Sequence, residues 1–155
     1  MDRAITKALL SQYSSGLSML HDAIAAFPEE AWAVGDRPST TPAWLSYHAL
    51  ETVDFYAGKR SEGFEWGAVG GDWEDLEAAP PTRDEILAYS DRVVERVSRW
   101  LQDPDPEGWS GPDLGFTWFP DRLTRALYSL RHLEQAIGEL NGMLKRRGAP
   151  PAAWR

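Results

Sequence analysis

Four separate stretches of the chain repeat apolar residues every three or four positions, and each is cut off by proline or glycine. In the first, Ile5, Leu9, Tyr13, Leu17, Leu20, Ile24 and Phe27 form one stripe, the pattern of an amphipathic α-helix. Pro28 stops it, because proline lacks a backbone donor and disfavours helical geometry in the residue before it. Residues 28–40 carry loop chemistry in Gly35, Asp36 and Pro38, after which Thr41-Pro42 offers an N-cap followed by proline at the first helical position. That second helix bears Trp44, Leu45, His48, Thr52, Phe55 and Tyr56 on one side. Thr82 and Glu85 have the spacing of a capping box and announce a third helix, with Ile86, Tyr89, Val93, Val97 and Trp100 inward, widened by Val94 and Leu101, and an end at Pro104 and Pro106. A fourth runs from about Pro120 to Arg147, with Leu123, Leu127, Leu130, Leu133, Ile137, Leu140 and Leu144 as its core stripe. With little strand signal, the pattern predicts an all-α fold: a four-helix bundle with long crossover loops, in one domain over residues 1–155.

The two long connections are the irregular part. Residues 58–81 hold glycines around Val69, then acids and Pro80-Pro81, and a loop of this length in a compact domain is usually functional or disordered. Phe64, Trp66 and Trp73 argue for order, since disordered segments are poor in aromatics; a short helical turn is expected at Trp73–Leu76. Residues 104–119 form the second connection, with a short extended piece expected at Phe116–Pro120. Trp44, Trp100 and Trp118 lie in or beside helices, where core packing explains them. Trp66, Trp73 and Trp109 lie in loops and, with Trp44, are the candidates for a pocket rim or subunit contact. Trp154 is expected to fold back onto the body.

The formal net charge of −8 disfavours nucleic acid, whose binding needs clustered Lys and Arg. Zero cysteines exclude disulfides, thiolate metal sites and a cysteine nucleophile, and fit a cytoplasmic location. No apolar run reaches the roughly 20 residues that span a bilayer, so no membrane partner is expected. A P-loop, a dinucleotide fingerprint and a nucleophile elbow are all missing from the chain.

That leaves the histidines. His21 lies one residue off the first stripe with no ligand-type residue one turn on, and is read as a polar residue at the helix edge. His48 lies on the inward side of the second helix, where an imidazole either hydrogen-bonds a neighbour or ligates zinc, nickel or iron. His132 falls about one third of a turn from the middle of its own stripe, on a border that can line a cleft. The position one turn beyond it, on the same side, is Ala136, which cannot ligate. Glu51, Gln135 or Glu139 would have to supply an oxygen for a two-histidine, one-oxygen site.

The segment Trp44-Leu-Ser-Tyr-His-Ala-Leu-Glu-Thr-Val-Asp-Phe-Tyr56 resembles the second-helix motif of DinB/YfiT-like proteins, and Tyr128-Ser-Leu-Arg-His-Leu-Glu-Gln-Ala-Ile-Gly-Glu-Leu-Asn141 is similar to their fourth-helix motif. The Pro-Pro-Ala-Ala-Trp ending is similar to one branch of that family. The resemblance implies a four-helix bundle, often a homodimer, holding a divalent nickel, zinc or iron ion at one end through three histidines. It also implies, for some members, thiol-dependent transfer or isomerisation with mycothiol or bacillithiol. Carried over, two ligands fall on His48 and His132 and the third on Ala136, with Gln135 where the branch carries another histidine. A metal-dependent enzyme with an incomplete site is one expectation. A non-catalytic bundle that binds a small molecule or a partner subunit through a vestigial pocket is the other.

Overall fold

The computed structural model describes residues 2–72, 75, 78–103 and 107–155. Among these residues every regular element is helical: α1 (Asp2–Ala26), α2 (Glu29–Trp32), a 3-10 turn at Pro38–Thr40, α3 (Pro42–Tyr56), α4 (Arg83–Gln102) and α5 (Arg122–Arg146). No described helix is long and apolar enough to cross a membrane.

The helix ends follow local chemistry. Thr82 and Glu85 form the reciprocal cap expected of them, with the Thr82 amide donating to Glu85 Oε2 at 2.8 Å and the Glu85 amide donating to Thr82 Oγ1. Asp121 caps α5 by accepting from the Thr124 amide at 2.6 Å. At the other end of α5 Gly148 takes φ +72°, and the amides of Gly148 and Ala149 return to the carbonyls of Lys145 and Leu144, both at 3.0 Å. This is a Schellman closure, which needs the left-handed conformation that glycine adopts without strain. Thr41 departs from expectation. It precedes Pro42 as an N-cap should, but its hydroxyl donates backwards to the Arg37 carbonyl at 3.0 Å and caps no α3 amide.

Two further expectations are corrected. Residues 28–40, read as loop, hold the single turns of α2 and Pro38–Thr40; Trp32 anchors the first by burying its ring beside Phe27 and donating from Nε1 to the Pro81 carbonyl at 2.9 Å. Phe116–Pro120 is a turn rather than an extended piece, closed by the Phe119 amide on the Phe116 carbonyl at 2.9 Å. The helical turn expected at Trp73–Leu76 falls largely on residues outside the described ones.

Side-chain pairs give the packing. α1 and α3 each pack against both α4 and α5. Tyr47 meets Tyr89 while Asp54 meets Arg96, so α3 and α4 run in the same direction. His48 meets His132 while Tyr56 meets Tyr128, so α3 and α5 run oppositely. Because α3 and α4 are parallel neighbours, the chain must travel back along the length of a helix between them. The long 57–82 connection answers that need. The core between the four long helices is apolar and closed: Leu20, Ile24, Leu50, Val53, Ile86, Val93, Leu133 and Leu140 are fully buried.

Along α5 the inward stripe changes register. From Leu133 onwards it is as the periodicity predicts, but in the first two turns Arg122, Arg125, Ala126 and Ser129 are buried and Leu127 is 51 % exposed. Arg125 explains the shift. Its guanidinium donates to the carbonyls of Tyr56 and Gly58 at 3.0 and 2.8 Å, pairs with Asp113 at 2.7 Å, and lies over the rings of Phe116 and Trp100. The Tyr56 carbonyl ends α3, where the last carbonyls lack a partner within the helix, and Gly58 follows in the turn beyond it. The C-terminal tail returns over α1 and α5, with the Ala152 amide on Asn141 Oδ1 at 2.9 Å and Arg155 on Ser18 and Asp22. Trp154 itself stays 83 % exposed.

Candidate functional site

His48 is the seventh residue of α3 and His132 the eleventh of α5, so the two imidazoles meet midway along both helices rather than at their ends. Both are half-buried. Their ring centres are 5.3 Å apart, with the planes inclined at 69°. α3 places His48 here because Leu50, Val53 and Ala49 occupy the faces that look into the core, leaving the imidazole on the side that meets α5. Burial pushes the His48 pKa down to about 4, and the neighbouring His132 pushes in the same direction. Burial also lowers His132, against the opposing pull of the Glu139 carboxylate. Both rings are therefore neutral at pH 7, the form in which imidazole ligates a metal.

The spacing of the pair fits a shared ion. With metal–nitrogen bonds of roughly 2.0–2.1 Å and a tetrahedral angle, two ligating imidazoles hold their ring centres about 5 Å apart. A third protein ligand is what the site lacks: among the described residues no three His, Cys, Asp or Glu side chains gather closely enough to hold an ion. Each substitute has a local reason for its absence. Glu51, roughly 60° around α3 from His48, accepts from the Tyr47 hydroxyl at 2.8 Å and the Gly67 amide at 2.6 Å. Gln135 and Glu139 are exposed and bonded to each other at 3.1 Å. Ala136, the position one turn beyond His132, is buried in the core cluster. His21 is exposed at the edge of α1, with Nδ1 3.9 Å from Asp22.

Beside the imidazoles the α3–α5 seam continues as an aromatic surface. Tyr56 packs edge-on against Tyr128, and Phe119, Phe116, Phe55 and Trp118 extend the contact. Burial first, then Tyr128, raises the Tyr56 pKa above the usual phenol value. Trp118 is 56 % exposed, contrary to its reading as a core residue, because the turn at Phe116–Phe119 directs Phe116 inward in its place. Trp66 is 53 % exposed and leans on Phe55 and Phe64, so it keeps its place as a rim candidate. Trp109 does not. It is buried, with Nε1 donating to Thr6 Oγ1 at 2.8 Å and Arg122 over its ring. Trp44 is buried against Tyr47 yet lines a small hollow with Arg37, Pro38 and Thr41, and Trp73 lies outside the described residues.

Sequence reasoning missed the polar floor that lies on the far side of α3. There Tyr89 donates to Asp54 Oδ2 at 2.9 Å, and Arg96 pairs with Asp54 Oδ1 at 3.1 Å. Burial, followed by the Glu51 contact, pushes the Tyr47 hydroxyl up to about 12. A signal was present in the helix itself: Tyr47 and Glu51 stand one turn apart, and buried acids are rare unless something holds them. Compared with known families and curated proteins, the chain matches no family model and no curated relative.

Proposed function

We propose that this chain is a DinB-like four-helix bundle whose His48 and His132 form a weak, open site for a divalent transition-metal ion such as nickel, zinc or iron. The reading rests on one observation, two neutral imidazoles from facing helices with ring centres 5.3 Å apart. With two protein ligands the remaining positions fall to water or to a ligand atom, so affinity is low and exchange is fast. A bound ion would supply Lewis acidity, polarising a thiol or lowering the pKa of a water. The protein's own part is to hold both rings neutral by burial and to offer the aromatic surface of Tyr56, Phe119 and Tyr128 beside them. A homodimer, as the resemblance implies, belongs to the same reading, as does a cytoplasmic location.

The test is calorimetric and thermal titration of chelator-stripped protein with nickel, zinc and ferrous ions. Saturable binding with a rise in melting temperature is expected, since an ion bound only by the folded state stabilises it. His48→Ala and His132→Ala should each abolish the rise. No saturable binding up to about 1 mM ion, or binding unchanged in both variants, would overturn the reading.

A further inference from the structure

A groove of about 570 Å³ runs along the outside of the α1–α4 seam and is lined by those two helices alone. Because α1 and α3 each pack against both α4 and α5, this seam is opposite the α3–α5 seam that holds the two histidines. Ser14 and Ser18 on α1 and Ser90 and Ser98 on α4 are too short to fill the groove, and Leu17 and Leu101 form its buried floor. Among the described residues lining it, Asp91 is the only Asp, Glu, Lys or Arg, on a chain in which such residues make up 26 %.

At the rim stands a fixed projection. Trp154 is 83 % exposed, yet the tail that carries it is pinned on both sides, by the Ala152 amide on Asn141 Oδ1 at 2.9 Å and by Arg155 on Ser18 and Asp22. Ser18 itself lines the groove, so the indole is one residue away from a contact with the groove's own wall. A large aromatic ring held in water forfeits the gain that burying it brings. A projection and a hollow side by side on one face are self-complementary, since a twofold axis between them seats the projection of each copy in the hollow of the other. Charge favours the same occupant. Two copies that each carry a formal charge of −8 repel, and they approach most easily through a face almost empty of charge, as the cores of interfaces between identical chains are.

We propose that two copies of this chain pair through the α1–α4 face, with Trp154 of each in the groove of the other. The proposal shares the homodimer of the reading above and gives it a face, while the ion site at His48 and His132 stands or falls separately. The test is sedimentation velocity of the full-length chain from about 5 to about 500 μM, where a dimer should grow in with concentration. Trp154→Ala removes the projection and Ser14→Arg fills the hollow, both at exposed positions; each should weaken the dimer about tenfold at unchanged helicity and melting temperature. An equimolar mixture of the two variants restores one projection to one open hollow, and should associate more tightly than either variant alone. Trp118→Ala, on the opposite face, should leave the dimer unchanged. A monomer at every concentration would overturn the pairing and the homodimer together, without touching the ion titration. A dimer that Trp154→Ala and Ser14→Arg leave intact, one that Trp118→Ala weakens as much as they do, or a mixture no tighter than its components would overturn this face alone. Should Ser14→Arg fail to fold, Val94→Arg, at a groove position 43 % exposed, takes its place.

Discussion

At the C-terminal end of α3, Arg125 and Asp113 bury opposite charges 2.7 Å apart, each side chain only 3 % exposed; two turns back along the same helix, His48 and His132 place two bases side by side. The first pair is complementary in every direction. Arg125 closes the carbonyls at and just beyond the end of α3 and stacks on two rings, while Asp113 accepts from the Phe116 amide at 3.1 Å. Burial draws the Arg125 pKa down to about 10 and Asp113 opposes the fall, so the guanidinium stays charged at neutral pH. In the second pair the Glu139 carboxylate pulls His132 towards its charged form without overcoming burial. Each imidazole is held out of its charged form by burial, and His132 adds to the effect on His48. The contrast separates a charged pair that closes the fold from a pair of bases held neutral side by side, and perturbed titration of half-buried groups is a mark of functional positions.

Breaking the complementary pair should have the largest effect. Arg125→Met strands the Asp113 carboxylate and two helix-end carbonyls, and Asp113→Ala strands the guanidinium; each is expected to cost about 3–5 kcal/mol in urea unfolding. The double variant should recover part of that loss. Additive losses would show that the two side chains act independently.

Titrating the pair of bases comes next. In metal-free protein the folded-state pKa of His48 is about 4, against an ordinary value of about 6.5 in the unfolded chain. Between these values the unfolded state binds the extra proton, so stability is highest above pH 6.5 and falls as the pH drops towards 4. The contribution is at most on the order of 3 kcal/mol. Unfolding curves at pH 7 and pH 5 should show a smaller pH difference in His48→Gln than in the parent. An equal difference would remove His48 as its source.

The smallest expected effect sharpens the comparison rather than breaking it. Ala136→His would place an imidazole one turn from His132, and should tighten nickel or zinc binding about tenfold, or roughly 1.4 kcal/mol, while overpacking costs about 1–3 kcal/mol of stability. A variant that folds but binds no tighter would show that residue 136 does not face the pair.

How much was legible varies with how far apart the interacting residues lie. The Thr82 cap, the stop at Pro28 and the start at Pro42 depend on neighbours within a turn, and each helix appears where its pattern placed it. The meeting of His48 with His132 is consistent with two apolar stripes packing face to face. The inward phase of early α5 was not legible. Leucine spacing put Leu127 in the core, whereas Arg125 takes the inward side because the end of α3 and the 113–116 turn supply partners for it. Glu51 was equally ambiguous as a neighbour of His48, since only the returning 58–71 segment brings the Gly67 amide to it.

Apolar periodicity and the residues that start and stop a helix thus determined, from the chain alone, where the long helices form and, outside the first two turns of α5, which faces they bury, because those preferences act over three or four residues. Which polar groups meet was decided only when the helices packed. Arg125 meets Asp113 from 12 residues away, Glu51 meets the Gly67 amide from 16 and His48 meets His132 from 84, and such contacts depend on the relative placement of whole elements, which no local pattern encodes.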